Sequence, residues 1–475
     1  MNKRPPDYAK ALAAIIGGYV LVFCWLAVRR FEVFGWDSGD IGNFNDMFWW
    51  TLHGRPFYFP GRGYSNFGLH AAFLWAQLLP IYAVLPGPKT LLFLQSLALG
   101  LAAWPMYLIA RRVLDNHVSA LVVAGAYLLF PPIVSQNVNQ VEEPSFIPVY
   151  LLFAFYFFTG ERFGLFMLFA FIACLGRENV PLAVAMFGVC AAILRRPKRW
   201  VLAPLAMGMV YFVVVTFFVM PKFRPGIAWD PTAHMFSYLG NTPQAIMQRA
   251  LTEPGLVSRH ILDGENISYF VMLVQPLGWV LPFTSLASLM ALPDLAINLI
   301  SDNGALKVIP WHYNVLTGTF LFVGVLYALR RLARWLGQRD SMVAAQTRLL
   351  GVALFLMVVA HWYLWFTPSQ YERLPYHEAL VRAIDAVPRD KSVLVPPHLQ
   401  GHVSGREHWQ ITNMFVERPE YAAQFEYVIL DANDRRFAPV VTPDFFARFY
   451  KNPRYQLIFS EKGVFVFRRT GQASP

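Results

Sequence analysis

Up to Phe366, and apart from its basic clusters, the chain's ionisable residues are few and gather in short segments between long apolar runs. Asp37, Asp40 and Asp46 lie in a Gly- and aromatic-rich stretch that begins Trp36-Asp37-Ser38-Gly39-Asp40-Ile41-Gly42. His70 follows. Glu142 and Glu143 are adjacent, Arg177 and Glu178 occupy the turn Gly176-Arg177-Glu178-Asn179, Lys222 and Arg224 are two apart, and Lys307 precedes His312. Carboxylates can take a proton as general bases, and converging cations can clamp a developing anion. Charged groups at membrane depth are costly and tend to be functional. Each has a plainer use as well. A loop aspartate caps helices and turns, Arg177 and Glu178 can form a local ion pair, Glu142 and Glu143 can end helices, and His70 and His312 can be packing histidines. Asp294, in Leu292-Pro293-Asp294-Leu295, could cap a broken helix or face a cavity.

These residues need elements to hold them, and composition says which kind. Of 475 residues, 56% are hydrophobic and 15% charged, against about 25% charged in a soluble domain. That balance excludes a disordered chain, a coiled coil and a disulfide-stapled secreted domain, and it implies a polytopic α-helical membrane protein. The net charge of +11 arises from short clusters between apolar runs, the pattern of membrane topology and not of nucleic-acid binding. Cys24, Cys174 and Cys190 lie in apolar runs, without CxxC or Cys/His spacing, and read as buried small hydrophobes.

Eleven spans are expected, at 11–28, 90–110, 118–135, 145–159, 163–176, 180–194, 200–219, 267–283, 284–299, 311–329 and 349–366. The basic start Met1 to Lys10 places the N-terminus in the cytoplasm, and with no small-residue cleavage site the first run reads as an uncleaved span. Residues 31–89 then form the first outer loop. Its apolar segment 71–85, about 15 residues long, falls short of the roughly 20 needed to cross. If it crossed, Arg111, Arg112 and the cluster Arg195, Arg196, Lys198, Arg199 would all lie outside, so it reads as an interfacial helix. On this assignment Lys and Arg are about four times as dense in the cytoplasmic segments as in the outer ones. The candidate residues fall at the outer face, including the loop 220–266.

After Phe366 charged residues of both signs appear and long apolar runs stop. Strands are expected at Ser392 to Val395, Tyr427 to Leu430, Tyr455 to Phe459 and Val464 to Phe467. The last two flank the hairpin signal Ser460-Glu461-Lys462-Gly463, and helical patterning covers Tyr376 to Ala386. The expected organisation is a transmembrane domain over 1–366 and a small extracytoplasmic α/β domain over 367–475. No Walker loop or GxGxxG sits at a strand–helix junction, which argues against a nucleotide-driven pump. The large loops are uneven and the acidic residues gather outside, which argues against a secondary transporter.

Asp40-Ile41-Gly42-Asn43-Phe44, then Trp49, then Leu52-His53-Gly54-Arg55-Pro56-Phe57 resembles the start of the bacterial membrane-protein family catalogued as domain of unknown function 2079. Its members commonly read Asp-Leu-Gly-Ile-Phe-Asp-Gln, then Trp, then His-Gly. Later pieces resemble the family in the same order: Asn66-Phe67 with His70, Arg177-Glu178-Asn179, Leu292-Pro293-Asp294, His312-Tyr313, and Pro397-His398-Leu399 with Ser404 and Arg406. Three places depart from it. Asn45 stands where the family often has Asp, Glu143-Pro144-Ser145 where it often has His-Pro-Glu, and Leu69 replaces the acid before His70. The family is similar in layout to the GT-C membrane glycosyltransferases, which move sugar from a polyprenyl-phosphate carrier to an acceptor on the outer face.

The resemblance implies an inverting glycosyltransferase of the bacterial inner membrane. Asp40 would be the general base on the acceptor hydroxyl. Arg177, with Lys222 or Arg224, would hold the lipid phosphate as it leaves. Glu143 and His70 would orient sugar or acceptor, with Glu142, Glu178 and His312 completing the substrate site. Trp36, Phe44, Trp49 and Trp50 would sit at the membrane interface or stack on sugar. Expected partners are a polyprenyl-phosphate sugar, membrane lipid and a glycan, lipid or protein acceptor. No cofactor is expected. A divalent metal, if used, would fall to Asp37 and Asp40, which have no further ligand nearby. The alternative is a non-catalytic membrane protein that binds or transports a lipid-linked glycan.

Overall fold

The computed structural model describes residues 7–36, 40–60, 62–139, 141–226, 235–337, 340–411, 424–433 and 443–470. Asp37, the first six residues and 227–234 of the loop 220–266 lie outside them. The chain divides into two compact units, one of residues 1–25, 66–79 and 93–366, the other of 26–65, 80–92 and 367–475.

The first unit is helical. Among the described residues, five helices are long and apolar enough to cross a membrane: Tyr8–Glu32, Pro88–Leu114, Lys198–Phe223, His312–Leu336 and Met342–Ala360. His117–Leu129 and Pro131–Asn139, bent by 47°, make a sixth if the pair is one span. The bend follows from chemistry. Phe130 precedes a proline and is extended (φ −63, ψ 129), because the ring of Pro131 crowds the helical region of its neighbour. Shorter apolar helices include Pro148–Thr159, Phe163–Cys174 and Val180–Ile193. Two expected spans, 267–283 and 284–299, are not continuous helices. They break into Gly264–Val274, short 3₁₀ pieces at Gln275–Leu277, Leu281–Thr284 and Leu286–Ala291, and Leu292–Ile300. Pro276, Pro282 and Pro293 remove backbone donors there, and Gly278 turns left-handed at φ +76.

Burial sorts these helices. Val315–Leu336 is buried on all sides over its first turns, as expected of a helix apolar all round. Lys198–Phe223 leaves Leu202, Val210 and Phe218 exposed, which suits contact with lipid. That helix packs closely on Val180–Ile193 through small residues: a Cβ on Gly208 would run into the Pro181 carbonyl and Ala185, and one on Gly188 would lie 2.6 Å from Leu205. Beyond Val214 it continues as a π turn, Val215–Val219, and a 3₁₀ turn, Met220–Phe223. The segment read as interfacial forms a 3₁₀ helix, Phe73–Leu78, and a short α-helix, Leu79–Val84, too short to cross a membrane alone.

The second unit is built on a five-stranded sheet in the order Trp409–Ile411, Val393–Val395, Tyr427–Asp431, Val464–Arg469, Tyr455–Glu461. Val393–Val395 is parallel to both its neighbours, and the remaining pairs are antiparallel. Four of these strands stand where expected. The edge strand Trp409–Ile411 is too short to leave a pattern. Lys462 and Gly463 have φ of +47 and +79, as the primed turns of tight hairpins require. Strand alternation sorts the core onto two faces. Val393, Val395, Ile429, Val464 and Val466 pack with Ala379, Leu380 and Ala383 of the helix His377–Asp385. Leu394, Val428, Leu430 and Phe467 pack with Phe446 and Phe449 of the helix Pro443–Tyr450.

The first-loop signature belongs to this unit as the helix Asp40–Leu52. It lies so close to Gln400–Val403 that a Cβ on Gly42 would fall 2.9 Å from the Gln400 carbonyl carbon. Asn45 donates to Ser404 Oγ (2.9 Å) and accepts from the Tyr82 hydroxyl (2.7 Å). Asp46 accepts from the Gly405 amide (2.6 Å) and from Trp409 Nε1. Gln400 donates to Asn43 Oδ1 (2.6 Å). The Asn45-Asp46 pair and the Ser404 and Arg406 segment, matched separately in the sequence, are thus one hydrogen-bonded clasp.

Candidate functional site

In the first unit, several backbone segments meet at one cavity of about 400 Å³, three of them close to Arg177. The first is the stretch from Asn66 to Leu78, bound to the turn after Phe163–Cys174 by Leu74 N to Leu175 O (3.0 Å). The second is that turn, Gly176-Arg177-Glu178-Asn179. The third is the 3₁₀ turn Glu143–Phe146, which Pro144 starts. His312 and Tyr313 come from the start of the buried helix Val315–Leu336.

Glu178 accepts from the Ala71 amide (3.1 Å) and meets His70 Nδ1 at 2.9 Å. Arg177 Nη2 reaches His70 Nε2 at 3.3 Å. Guanidinium can only donate, so the network assigns Nε2 as acceptor and puts the His70 ring proton on Nδ1, toward Glu178. Burial alone would raise the Glu178 pKa, but its contacts with His70 and Arg177 hold it well below the usual carboxylate range. Arg177, 8% exposed, also faces Glu143 Oε1 at 3.5 Å and lies 5.7 Å from the Tyr313 ring. Glu143 is 1% exposed and neither carboxylate oxygen has a hydrogen-bond donor among the described residues. The Arg177–Glu143 contact is therefore an ion pair without hydrogen bonds.

The other expected residues have separate places. Glu142 lies 3.8 Å from His312 Nδ1. Arg224 is buried and donates to the Gly68 carbonyl (3.1 Å), anchoring the segment that carries His70. Lys222 is exposed. Lys307 meets Glu265 at 3.4 Å. Asp40, the expected base, belongs to the second unit, half-buried at the first turn of its helix. Among the described residues, no group of three or more His, Cys, Asp or Glu is placed to hold a metal.

Further contributors lie outside the expected site residues, and of these only Asp294 is marked by the sequence, as a residue that could face a cavity. Asp294 faces the cavity and accepts from Asn179 (2.7 Å) and Thr317 (2.9 Å). Thr216, in the π turn, lines the cavity, and its buried hydroxyl has no hydrogen-bond partner among the described residues; such turns recur at functional sites. Behind Glu142 and Glu143, Gln95 accepts from the Glu142 amide (3.2 Å) and from Ser145 (2.9 Å), and Gln136 donates to Ser145 (2.8 Å). Neutral amides inside apolar runs hold this segment in place.

Residues 38–445 match the family described as "Predicted membrane protein (DUF2079)". The chain belongs to the DUF2079 family. With five helices of membrane length, this DUF2079 member is a multi-pass membrane protein. No curated protein matches it in sequence. Its fold is similar to two crystal structures of ArnT from Cupriavidus metallidurans. The structure bound to undecaprenyl phosphate has a TM-score of 0.52 and 12% identity, and the match covers 96% of this chain and 99% of that one. The apo structure has a TM-score of 0.53 and 10% identity, with 95% and 98% covered. A looser likeness, TM-score 0.45 at 12% identity over 95% of this chain and 73% of the other, is to the Archaeoglobus fulgidus oligosaccharyltransferase complex with Zn and sulfate. These neighbours are GT-C glycosyltransferases, and the likeness to ArnT concerns the fold.

Proposed function

We propose that the chain is an inverting GT-C glycosyltransferase that moves a sugar from a polyprenyl-phosphate carrier to an acceptor on the outer face of the cytoplasmic membrane. In this reading eleven segments cross, the N-terminus is inside, and residues 367–475 form an outer domain. The ArnT fold, solved with undecaprenyl phosphate, supports the lipid class. The observation that carries the reading is Arg177, a buried cation at a cavity wall held by two carboxylates and His70. Asp40 takes the acceptor hydroxyl proton. The hydroxyl oxygen attacks the anomeric carbon as its bond to the phosphate oxygen breaks, and the carrier phosphate leaves with that electron pair. Arg177 offsets the charge of the leaving phosphate, with the exposed Lys222 as second cation, since Arg224 is engaged on Gly68. Carboxylates around Arg177 outnumber it, so phosphate binding would loosen the Glu143 contact first, because Glu178 is held by His70 and the Ala71 amide while the Glu143 carboxylate has no hydrogen bonds among the described residues.

The test is sugar transfer by purified protein from a panel of polyprenyl-phosphate sugars to membrane extract, with and without EDTA. Asp40→Asn should lower transfer by about 10²–10⁴ with the protein still folded. Transfer that survives the substitution refutes the base assignment. Binding of polyprenyl phosphate without transfer, once acceptor supply is established, refutes the enzyme reading in favour of a lipid-linked glycan binder.

A further inference from the structure

The second unit holds another built cavity, of about 650 Å³, that the transfer reaction does not use. Two adjacent parallel strands end at it. Val393–Val395 runs through Pro396 and Pro397 into His398, and Tyr427–Asp431 ends on Asp431. The carboxyl ends of parallel strands are where open α/β sheets place ligands. His398 Nε2 lies 3.2 Å from Asp431 Oδ2, both side chains almost fully buried. Asp431 Oδ1 accepts from the Asn433 amide (2.9 Å) and from its side chain (3.0 Å).

The opposite wall is tied down. Arg29 Nε donates to Tyr371 O (3.2 Å) and Arg30 Nε to Gly35 O (2.8 Å). A Cβ on Gly35 would run into the Gln370 carbonyl oxygen, so only glycine lets these segments approach so closely. The lining decides the ligand class. Among the described residues no Lys or Arg lines the cavity, which disfavours phosphate and carboxylate groups. Gln370, Glu372 and Asn433 offer amide and carboxylate groups that pair with hydroxyls, while Phe34 and Tyr376 offer aromatic faces. Its volume falls within the range of about 300–1,000 Å³ usual for ligand pockets.

We propose that this cavity, at the strand ends carrying His398 and Asp431, binds an uncharged saccharide. The proposal does not require the chain to be a transferase, and its test needs no lipid donor. The full chain in detergent is titrated with methyl glycosides of neutral hexoses and N-acetylhexosamines, followed by saturation-transfer NMR, with inorganic phosphate as competitor. At least one neutral glycoside should bind with millimolar Kd, undisturbed by phosphate. His398→Gln and Glu372→Gln should each weaken it tenfold or more. Glu372 is exposed, so its isosteric change leaves the fold intact and keeps the test decisive if His398→Gln does not fold. Absence of binding across the panel, competition by phosphate, or unchanged affinity in Glu372→Gln would overturn the proposal.

Discussion

Replacing Arg177 with Met separates what the residue does for the fold from what it does for chemistry. Arg177 and Glu143 are 8% and 1% exposed, with Nε and Oε1 3.5 Å apart. At an effective dielectric constant of ~20, unit charges at that distance attract by about 5 kcal/mol. Removing one partner strands the other charge, which costs about 3–5 kcal/mol. Arg177→Met should therefore lower stability by about that much. Adding Glu143→Gln removes the stranded charge, so the double variant should recover half or more of the loss. It should not recover fully, because Glu178 and His70 also lose their contact with the guanidinium. Transfer activity should stay lost in both, since neither restores a cation for the phosphate. Thermal unfolding in detergent, followed by tryptophan fluorescence, reads the first effect, and the polyprenyl-phosphate assay reads the second. The reasoning fails if Arg177→Met is as stable as wild type, or if the two substitutions merely add.

Asp46 gives the fold a pH dependence. Burial, opposed by the bonds from Gly405 and Trp409 and by Arg406, raises its carboxyl to about 7. The folded chain thus holds this proton more tightly than the unfolded chain, where the pKa is about 3.9. The contribution is complete below about pH 4, is lost as pH rises toward 7, and is flat beyond it. Between pH 5 and 7 the loss is about 2 kcal/mol, and Asp46→Asn should flatten that slope; parallel melting curves for the two proteins would refute the assignment. Gly208→Val, which drives a side chain into the Pro181 carbonyl, should cost about 1–3 kcal/mol or more. Gly17→Val, in open space, should change melting little, and equal losses at both sites would argue against the close helix approach.

The membrane class was legible because apolar composition alone decides it, although of eleven expected spans only five described helices, or six with the bent pair, are long and apolar enough to cross; the hairpin was legible because Lys462-Gly463 announces its turn. Fragmentation over 264–300 was harder. Its prolines are visible, but whether a proline kinks a helix or ends it depends on neighbours that satisfy the freed carbonyls. Family order brought His70, Arg177 and Glu178 onto one page, yet nothing in a separation of 108 residues says that they touch. Arg224 read as an anion clamp, and nothing in its place in the sequence says that its Nη1 also holds the Gly68 carbonyl, since a basic residue looks the same in either use. Gln95 and Gln136 carry no charge and left no mark. Asp40 and Asp46 looked alike as loop carboxylates. Helical phase separates them: six residues place them about 120° apart on the helix, one half-buried and the other wholly enclosed.

The clasp between Asn45-Asp46 and Ser404-Gly405 joins residues 359 apart, and that separation is also an interval of time. At roughly 5–20 residues per second, synthesis places about 20–70 s between the two halves. Throughout that interval the first-loop helix has left the ribosome without the partner that satisfies its inward carboxylate. Any chain interrupted before residue 404 leaves Asn45 and Asp46 without their partners Ser404, Gly405 and Trp409. Such a nascent chain offers membrane-protein quality control a marker of incompleteness that vanishes only when the last part of the sequence arrives.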